Sequence, residues 1–151
     1  MRGLPGANGV LFGRQFSAGG ARPLAGGPDL VLYAPQLELL RKAALTVFHG
    51  GLNTALESLC CGVPMVAIPV TMDQPGVGVR IAWTGTGKTI PLAELTAERL
   101  GAAIGEVLAN ERYRAQAKSL QRQIASIRGV ERAAELIEAS LAISQPAVLA
   151  A

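Results

Sequence analysis

The sequence predicts an α/β fold built on a parallel sheet, and three observations carry that expectation. Apolar runs of four residues recur between Asp29 and Ile68, each closed by proline or glycine. The segments between them space their apolar side chains as helices do. From Thr96 onward the chain is helical in pattern. Short strands alternating with helices pair in parallel through crossover connections.

Residues 1–28 hold eight of the 18 glycines and no acidic residue, and read as a loose or truncated lead-in. Val10-Leu11-Phe12 is their one candidate strand. Their arginines suit a transit peptide, against which stands a single serine, Ser17. A domain is expected over residues 29–143, with a tail over 144–151. Leu30–Tyr33 is its first strand, ended by Pro35, and a helix follows from about Gln36 to Lys42. Leu45–Phe48 is the next strand, closed by His49-Gly50-Gly51. Asn53–Cys61 reads as a helix stopped by Gly62 and Pro64. Met65–Ile68 is a third strand, cut by Pro69, and Pro75–Trp83 is a helix that opens on proline. Helices over Thr96–Leu108, Glu111–Ile127 and Val130–Ile143 complete the chain, the last two separated by Gly129. The first of these buries Leu100, Ala103, Ile104, Val107 and Leu108. Three strands make a small core, and an edge lacking upstream strands predicts marginal stability or self-association.

Composition narrows the function. With 151 residues, half of them hydrophobic, the chain suits one domain with an ample core, and disorder is excluded as a general description. The formal net charge of +3 is that of Arg2, Arg14 and Arg22 alone; the remaining residues carry 11 basic and 11 acidic side chains. With 4% aromatics as well, neither the basic patch nor the stacking platform of a nucleic-acid binder is present. Adjacent Cys60 and Cys61 build no disulfide framework, which favours a reducing compartment; both are expected in or near the core. Leu59–Val70, the longest apolar stretch, is broken by Gly62, Pro64 and Pro69 and falls short of the ~20 residues a membrane span needs. No signal-peptide core precedes it. The expected location is the cytoplasm. Arg114, Lys118 and Arg122 form one basic ridge along a helix, either a solvated face or a contact for anionic lipid or a partner.

Two motifs are set aside. Gly85-Thr86-Gly87-Lys88-Thr89 looks like the end of a phosphate-binding P-loop, but its required first glycine would fall on Ala82, and Ile90-Pro91 stops a helix from following. It is expected to be a glycine-rich turn. No Gly-x-Ser-x-Gly elbow of a serine hydrolase occurs, and no histidine or cysteine stands at metal-ligand spacing.

One constellation carries chemistry. His49-Gly50-Gly51-Leu52-Asn53-Thr54 joins a strand to the first turn of a helix. Glycines there admit a ligand close to the backbone, and the first helical amides and the helix dipole favour a phosphate. Asn53 and Thr54 add donors, and His49, the only histidine, adds another. The plainer alternative is that Asn53 or Thr54 caps the helix and His49 packs quietly. Glu57, four residues after Asn53, shares its helix face and suits ribose hydroxyls; the plainer alternative is a solvated glutamate. Asp73-Gln74 follows the strand Met65–Ile68 and opens on the same carboxyl edge of the sheet as His49, where an acid beside an amide suits vicinal sugar hydroxyls. Tyr33-Ala34-Pro35-Gln36 offers a ring for a flat base and an amide for its edge or the ribose.

In this order, Tyr33-Ala34-Pro35-Gln36, Phe48-His49-Gly50-Gly51-Leu52-Asn53-Thr54, Glu57, Gly62-Val63-Pro64-Met65, Pro69 and Asp73-Gln74 resemble the donor-binding signature of the UDP-glycosyltransferase superfamily. Residues 74–92, with Arg80-Ile81-Ala82-Trp83, are similar to the bacterial branch of zeaxanthin glucosyltransferases, and the likeness fades by about Ser140. The resemblance implies the C-terminal, Rossmann-like half of a twin-Rossmann (GT-B) fold, here N-terminally incomplete. It implies that Tyr33 stacks on uracil, Gln36 assists at the base or ribose, and Glu57 holds the ribose. It further implies that His49, Gly50, Gly51, Asn53 and Thr54 serve the diphosphate, and Asp73 and Gln74 the hexose. Phe48 stands where many members have threonine, Tyr33 where many have tryptophan, and Thr54 where serine is common.

The implied reaction is inverting transfer of a hexose from UDP-glucose or another UDP-hexose to an acceptor hydroxyl. No metal is required, and a small lipophilic alcohol is the expected acceptor. His49 would stabilise the leaving group; the family's general base lies in an N-terminal domain, and this chain has no second histidine. The chain alone is therefore expected to bind donor and to transfer sugar poorly. Three settings stay open: part of a full transferase, the donor subunit of a split transferase with a partner chain, or a non-catalytic nucleotide-binding module. Peripheral contact with a membrane is the other partner class left open.

Overall fold

The structure, a computed structural model, describes residues 10–12, 29–31 and 34–143. The expected tail over 144–151 and most of the glycine-rich lead-in lie outside the described residues. The chain divides into two compact units, residues 1–42 and 43–151.

In the first unit, β1 (Val10–Phe12) pairs in parallel with β2 (Asp29–Val31), Leu11 opposite Leu30. The helix α1 (Gln36–Leu40) follows Pro35, two residues shorter than its apolar spacing predicts.

The second unit holds a parallel sheet of β3 (Thr46–Phe48), β4 (Met65–Ala67) and β5 (Gly87–Thr89), with β4 in the middle. The third strand corrects the expectation of a glycine-rich turn over residues 85–89. Gly87 explains why a Gly-Lys-Thr run pairs: a Cβ on it would lie 1.9 Å from the Met65 carbonyl oxygen, so only glycine lets the strand approach. The Lys88 side chain pairs with Glu106, and the segment is a strand rather than a phosphate loop.

The central strand has both faces covered. Met65 and Ala67 pack with Ala55 of α2 (Leu52–Cys60) and Ile81 of α3 (Gln74–Trp83). Val66 points the other way, onto Ala103 and Val107 of α4 (Ala97–Ala109). Leu100 and Ile104 join that layer partly buried, whereas Leu108 is exposed, contrary to the spacing argument. Thr96 caps α4 by accepting from the Arg99 amide, and Asn110 caps α5 (Glu111–Ser126) in the same way from Arg112.

The end of α2 is set by Gly62, at φ +67°, with Gly62 N donating to Leu59 O and Val63 N to Ser58 O. That bond pair is the Schellman closure and makes glycine the natural residue there. Helix α5 packs on α2 through fully buried Ala117, Gln121 Nε2 donates to Cys60 O, and Arg114 donates to the carbonyls of Ala43 and Ala44. The basic ridge is therefore not one solvated face, since Arg114 ties α5 to the chain before β3. Cys60 is exposed and Cys61 half-buried, so the expectation of a core position fails for Cys60: α5 covers the end of α2 through its carbonyl, not its thiol. The last helix is α6 (Gly129–Ile143), which includes Gly129 rather than starting after it. Among the described residues no helix is long and apolar enough to cross a membrane.

Candidate functional site

Register fixes the site's location. Phe48, Ala67 and Thr89 are cross-strand partners, so β3, β4 and β5 end together and their following loops share one edge of the sheet. Those loops begin at His49, Ile68 and Ile90. The carboxyl edge of a parallel sheet is where such folds take ligands.

The turn after β3 is built by its glycines. Gly50, at φ +84°, reverses the chain without a Cβ penalty. Gly51 is the N-cap of α2 in extended conformation and has no side chain with which to cap. Ala55 N makes the first helical bond, to Gly51 O, so the earlier amides point beyond the helix end. Asn53 and Thr54 occupy the second and third helical positions, which removes the alternative in which either is the N-cap residue. Thr54 also accepts, through its carbonyl, from buried Ser58 Oγ at 2.7 Å. Glu57 lies half-buried one turn after exposed Asn53. His49 is exposed, edge-on to Phe48 with ring centroids 6.2 Å apart, and its Nε2 would sit 2.6 Å from a Cβ on Gly51. The imidazole therefore lies over the start of α2.

The loop after β4 meets this turn. A Cβ on Gly50 would lie 3.2 Å from Gln74 O and 3.4 Å from Gln74 Cβ, so the glycine turn packs directly on Gln74. Asp73 is the N-cap of α3, yet its carboxylate makes no cap hydrogen bond and none to another described residue. Gln74 Oε1 accepts from Val70 N at 2.9 Å and Thr71 N at 3.0 Å. Between them Met72 is the single non-glycine residue with positive φ, +59°, among the described residues, and it is 85% exposed.

The structure thus brings His49, Gly50, Gly51, Asn53, Thr54 and Glu57 together on one strand–turn–helix, with Gln74 packed against the turn and exposed Asp73 next to it in sequence. Gln36 is the first residue of α1, in the other unit, and Tyr33 lies outside the described residues. Met72 carries no sequence signal as a site residue; only its backbone conformation marks it. A cavity of about 360 Å³ opens between α2 and α3, lined by Leu52, Leu56, Leu59, Val77 and Ile81 with Asp73 at its border. A second, of about 420 Å³, lies by Lys88, Asn110, Arg112 and Tyr113 and holds none of the predicted contacts. Neither cavity lies at the His49–Gly51 turn itself. Among the described residues no group of three His, Cys, Asp or Glu side chains could hold a metal ion.

Comparison with known proteins follows the same residues. Residues 16–132 match the family described as UDP-glucoronosyl and UDP-glucosyl transferase. The chain is 37% identical over 105 residues to NDP-glycosyltransferase YjiC of Bacillus subtilis, a match spanning 70% of this chain and 27% of that protein. It is 31% identical over 120 residues to zeaxanthin glucosyltransferase of Pseudescherichia vulneris, across 80% of this chain and 29% of that one. The crystal structure of the glycotransferase of kitacinnamycin superposes with a TM-score of 0.81 at 34% identity, covering 89% of this chain and 35% of that chain. The chain spans less than a third of the length of these curated relatives.

Proposed function

The chain belongs to the UDP-glucoronosyl and UDP-glucosyl transferase family of GT-B glycosyltransferases, and on that premise we propose that it is the part of such an enzyme that holds the nucleotide-sugar donor. The observation that carries this reading is the packing of Gly50 on Gln74. It supports a reading in which the turn at the start of α2 serves a diphosphate and the neighbouring carboxylate–amide pair a hexose.

The reaction proposed is inverting. An acceptor hydroxyl attacks the anomeric carbon, the bond from that carbon to the diphosphate oxygen breaks, and UDP leaves with the electron pair. Negative charge grows on the diphosphate as it departs. The amides at the start of α2 and the dipole behind them are fixed in that place, so they act on the transition state without reorganising, and the exposed His49 side chain adds a donor beside them. Asn53 and Thr54 extend the donor set around the diphosphate. Glu57, one turn further, accepts from the ribose hydroxyls, and Asp73 accepts from hydroxyls of a hexose, most simply glucose. Tyr33 and Gln36 serve the uracil and its ribose. These donors offset the diphosphate charge, so the binding proposed is independent of added metal.

The acceptor's proton needs a base, and the reading gives His49, the only histidine in the sequence, to the leaving group. The acceptor side is assigned to another domain or partner chain that binds a small lipophilic alcohol, and this chain by itself transfers sugar poorly. A thermal-shift series with UDP, UMP and uridine in EDTA tests the reading. A ligand held by the diphosphate turn raises Tm in the order UDP, UMP, uridine, because stabilisation grows with the logarithm of affinity. Equal shifts for UDP and uridine would remove the diphosphate site.

A further inference from the structure

We infer that Gln74 is a positioning residue, whose amide oxygen holds the 70–73 turn in the shape that presents the Asp73 carboxylate. The inference rests on the donor-binding reading only for what Asp73 presents itself to. The turn has a conformation that needs holding. Met72 takes φ +59° without being glycine, a left-handed conformation that crowds the Cβ of an ordinary residue. Its side chain is 85% exposed, so packing does not hold it there.

Gln74 does. Its Oε1 accepts from Val70 N at 2.9 Å and from Thr71 N at 3.0 Å, closing the loop from one side, while Gln74 N donates to Thr71 O at 3.2 Å from the other. Two N–H donors facing one atom require that atom to be the oxygen, so the amide's orientation follows from its partners. Oε1 is thereby committed, and only Nε2 remains to face a ligand. Asp73, exposed between left-handed Met72 and the first turn of α3, has its carboxylate used neither as a cap nor in another described hydrogen bond. Gly50 packs on the backbone and Cβ of the same Gln74. The residue that clamps the 70–73 turn is therefore also the one on which the glycine turn rests.

Glutamate separates the two roles that position 74 can play. Gln74→Glu keeps an oxygen for Val70 N and Thr71 N and loses the Nε2 donor; Gln74→Ala loses both. Amide hydrogen exchange of Val70 and Thr71, without ligand, is expected to be slow in the native chain and in Gln74→Glu and at least about tenfold faster in Gln74→Ala. The ratio of UDP-glucose to UDP affinity, by calorimetry, is expected to fall about tenfold in Gln74→Ala and to recover to within about threefold in Gln74→Glu. Equal exchange in the native chain and Gln74→Ala would overturn the clamp. A Gln74→Glu ratio as poor as that of Gln74→Ala would overturn it too, showing that Gln74 serves the sugar through Nε2. Absence of UDP binding by the folded native chain would instead refute the donor-binding reading, while the exchange measurement still decides the clamp.

Discussion

Replacing Gly51 by alanine should separate ligand binding from folding. The backbone at Gly51 has φ −65° and ψ 136°, which any residue adopts, so the change introduces no strain. Its new Cβ would lie 2.6 Å from His49 Nε2 and 3.1 Å from Cε1, against an ordinary contact beginning near 3.4 Å. The ring must retreat by roughly 0.8 Å, and being a rotatable, exposed side chain it can. The folding cost is then the exchange of glycine for alanine at an N-cap, at most about 1 kcal/mol. The functional cost is the loss of a charge-assisted hydrogen bond at its best distance, about tenfold in UDP affinity. Calorimetric titration with UDP, beside a thermal melt and a uridine control, reads both. UDP affinity falling about tenfold while uridine affinity holds and the melt moves only a few degrees is the expected result. UDP affinity equal to that of the unaltered chain would refute the placement of His49 over the diphosphate.

Gly87→Ala should fail to fold, because its Cβ would meet Met65 O at 1.9 Å and β5 would have to leave the sheet; the expected readout is loss of the cooperative thermal transition. Arg114→Ala removes donors to Ala43 O and Ala44 O at 3.3 and 2.9 Å and should lower stability by about 1–2 kcal/mol, several degrees in Tm, with UDP affinity unaltered in the folded fraction. The Lys88–Glu106–Tyr113 cluster predicts a pH profile. Its hydrogen bonds from Lys88 and then Tyr113 hold the Glu106 carboxyl below its ordinary 4.5, so this contribution is present above that value and lost as pH falls through the lowered one. The bond to Glu106 raises Lys88 above 10.5, and burial, followed by the same carboxylate, raises Tyr113 above 10.0; their contributions are present below those values and lost as pH rises through the raised ones. Melts across pH should therefore show a plateau between two declines, and Glu106→Gln should flatten the acid one; an unchanged acid decline would dismiss the cluster's role.

Much of the arrangement was legible because glycine and proline punctuate it. Gly62 and Pro64 follow the end of α2, Pro69 follows β4 and Pro75 lies in the first turn of α3, which starts one residue earlier at Gln74, so the strand–turn–helix that carries His49 to Glu57 could be placed from residue types alone. The meeting of that turn with Asp73-Gln74 followed from parallel strands sharing a carboxyl edge. β5 was not legible: Gly-Lys-Thr has no apolar residue, and it pairs because Gly87 can touch β4, a tertiary cause. Cys60 misled for a related reason, since an apolar helix end does not say which of its atoms a neighbouring helix covers. For Gln74, residue type cannot reveal whether its amide faces a ligand or its own loop.

On the proposed reading this chain grips a nucleotide sugar through α2 and the turns beside it, with Glu57 holding the ribose. Titration calorimetry of UDP-glucose in EDTA, on the unaltered chain and on Glu57→Ala, tests it most directly. The account predicts saturable binding weakened about tenfold or more by the substitution, with the fold retained. Saturable binding that Glu57→Ala leaves unchanged, or none at all by a chain that melts cooperatively, would contradict it.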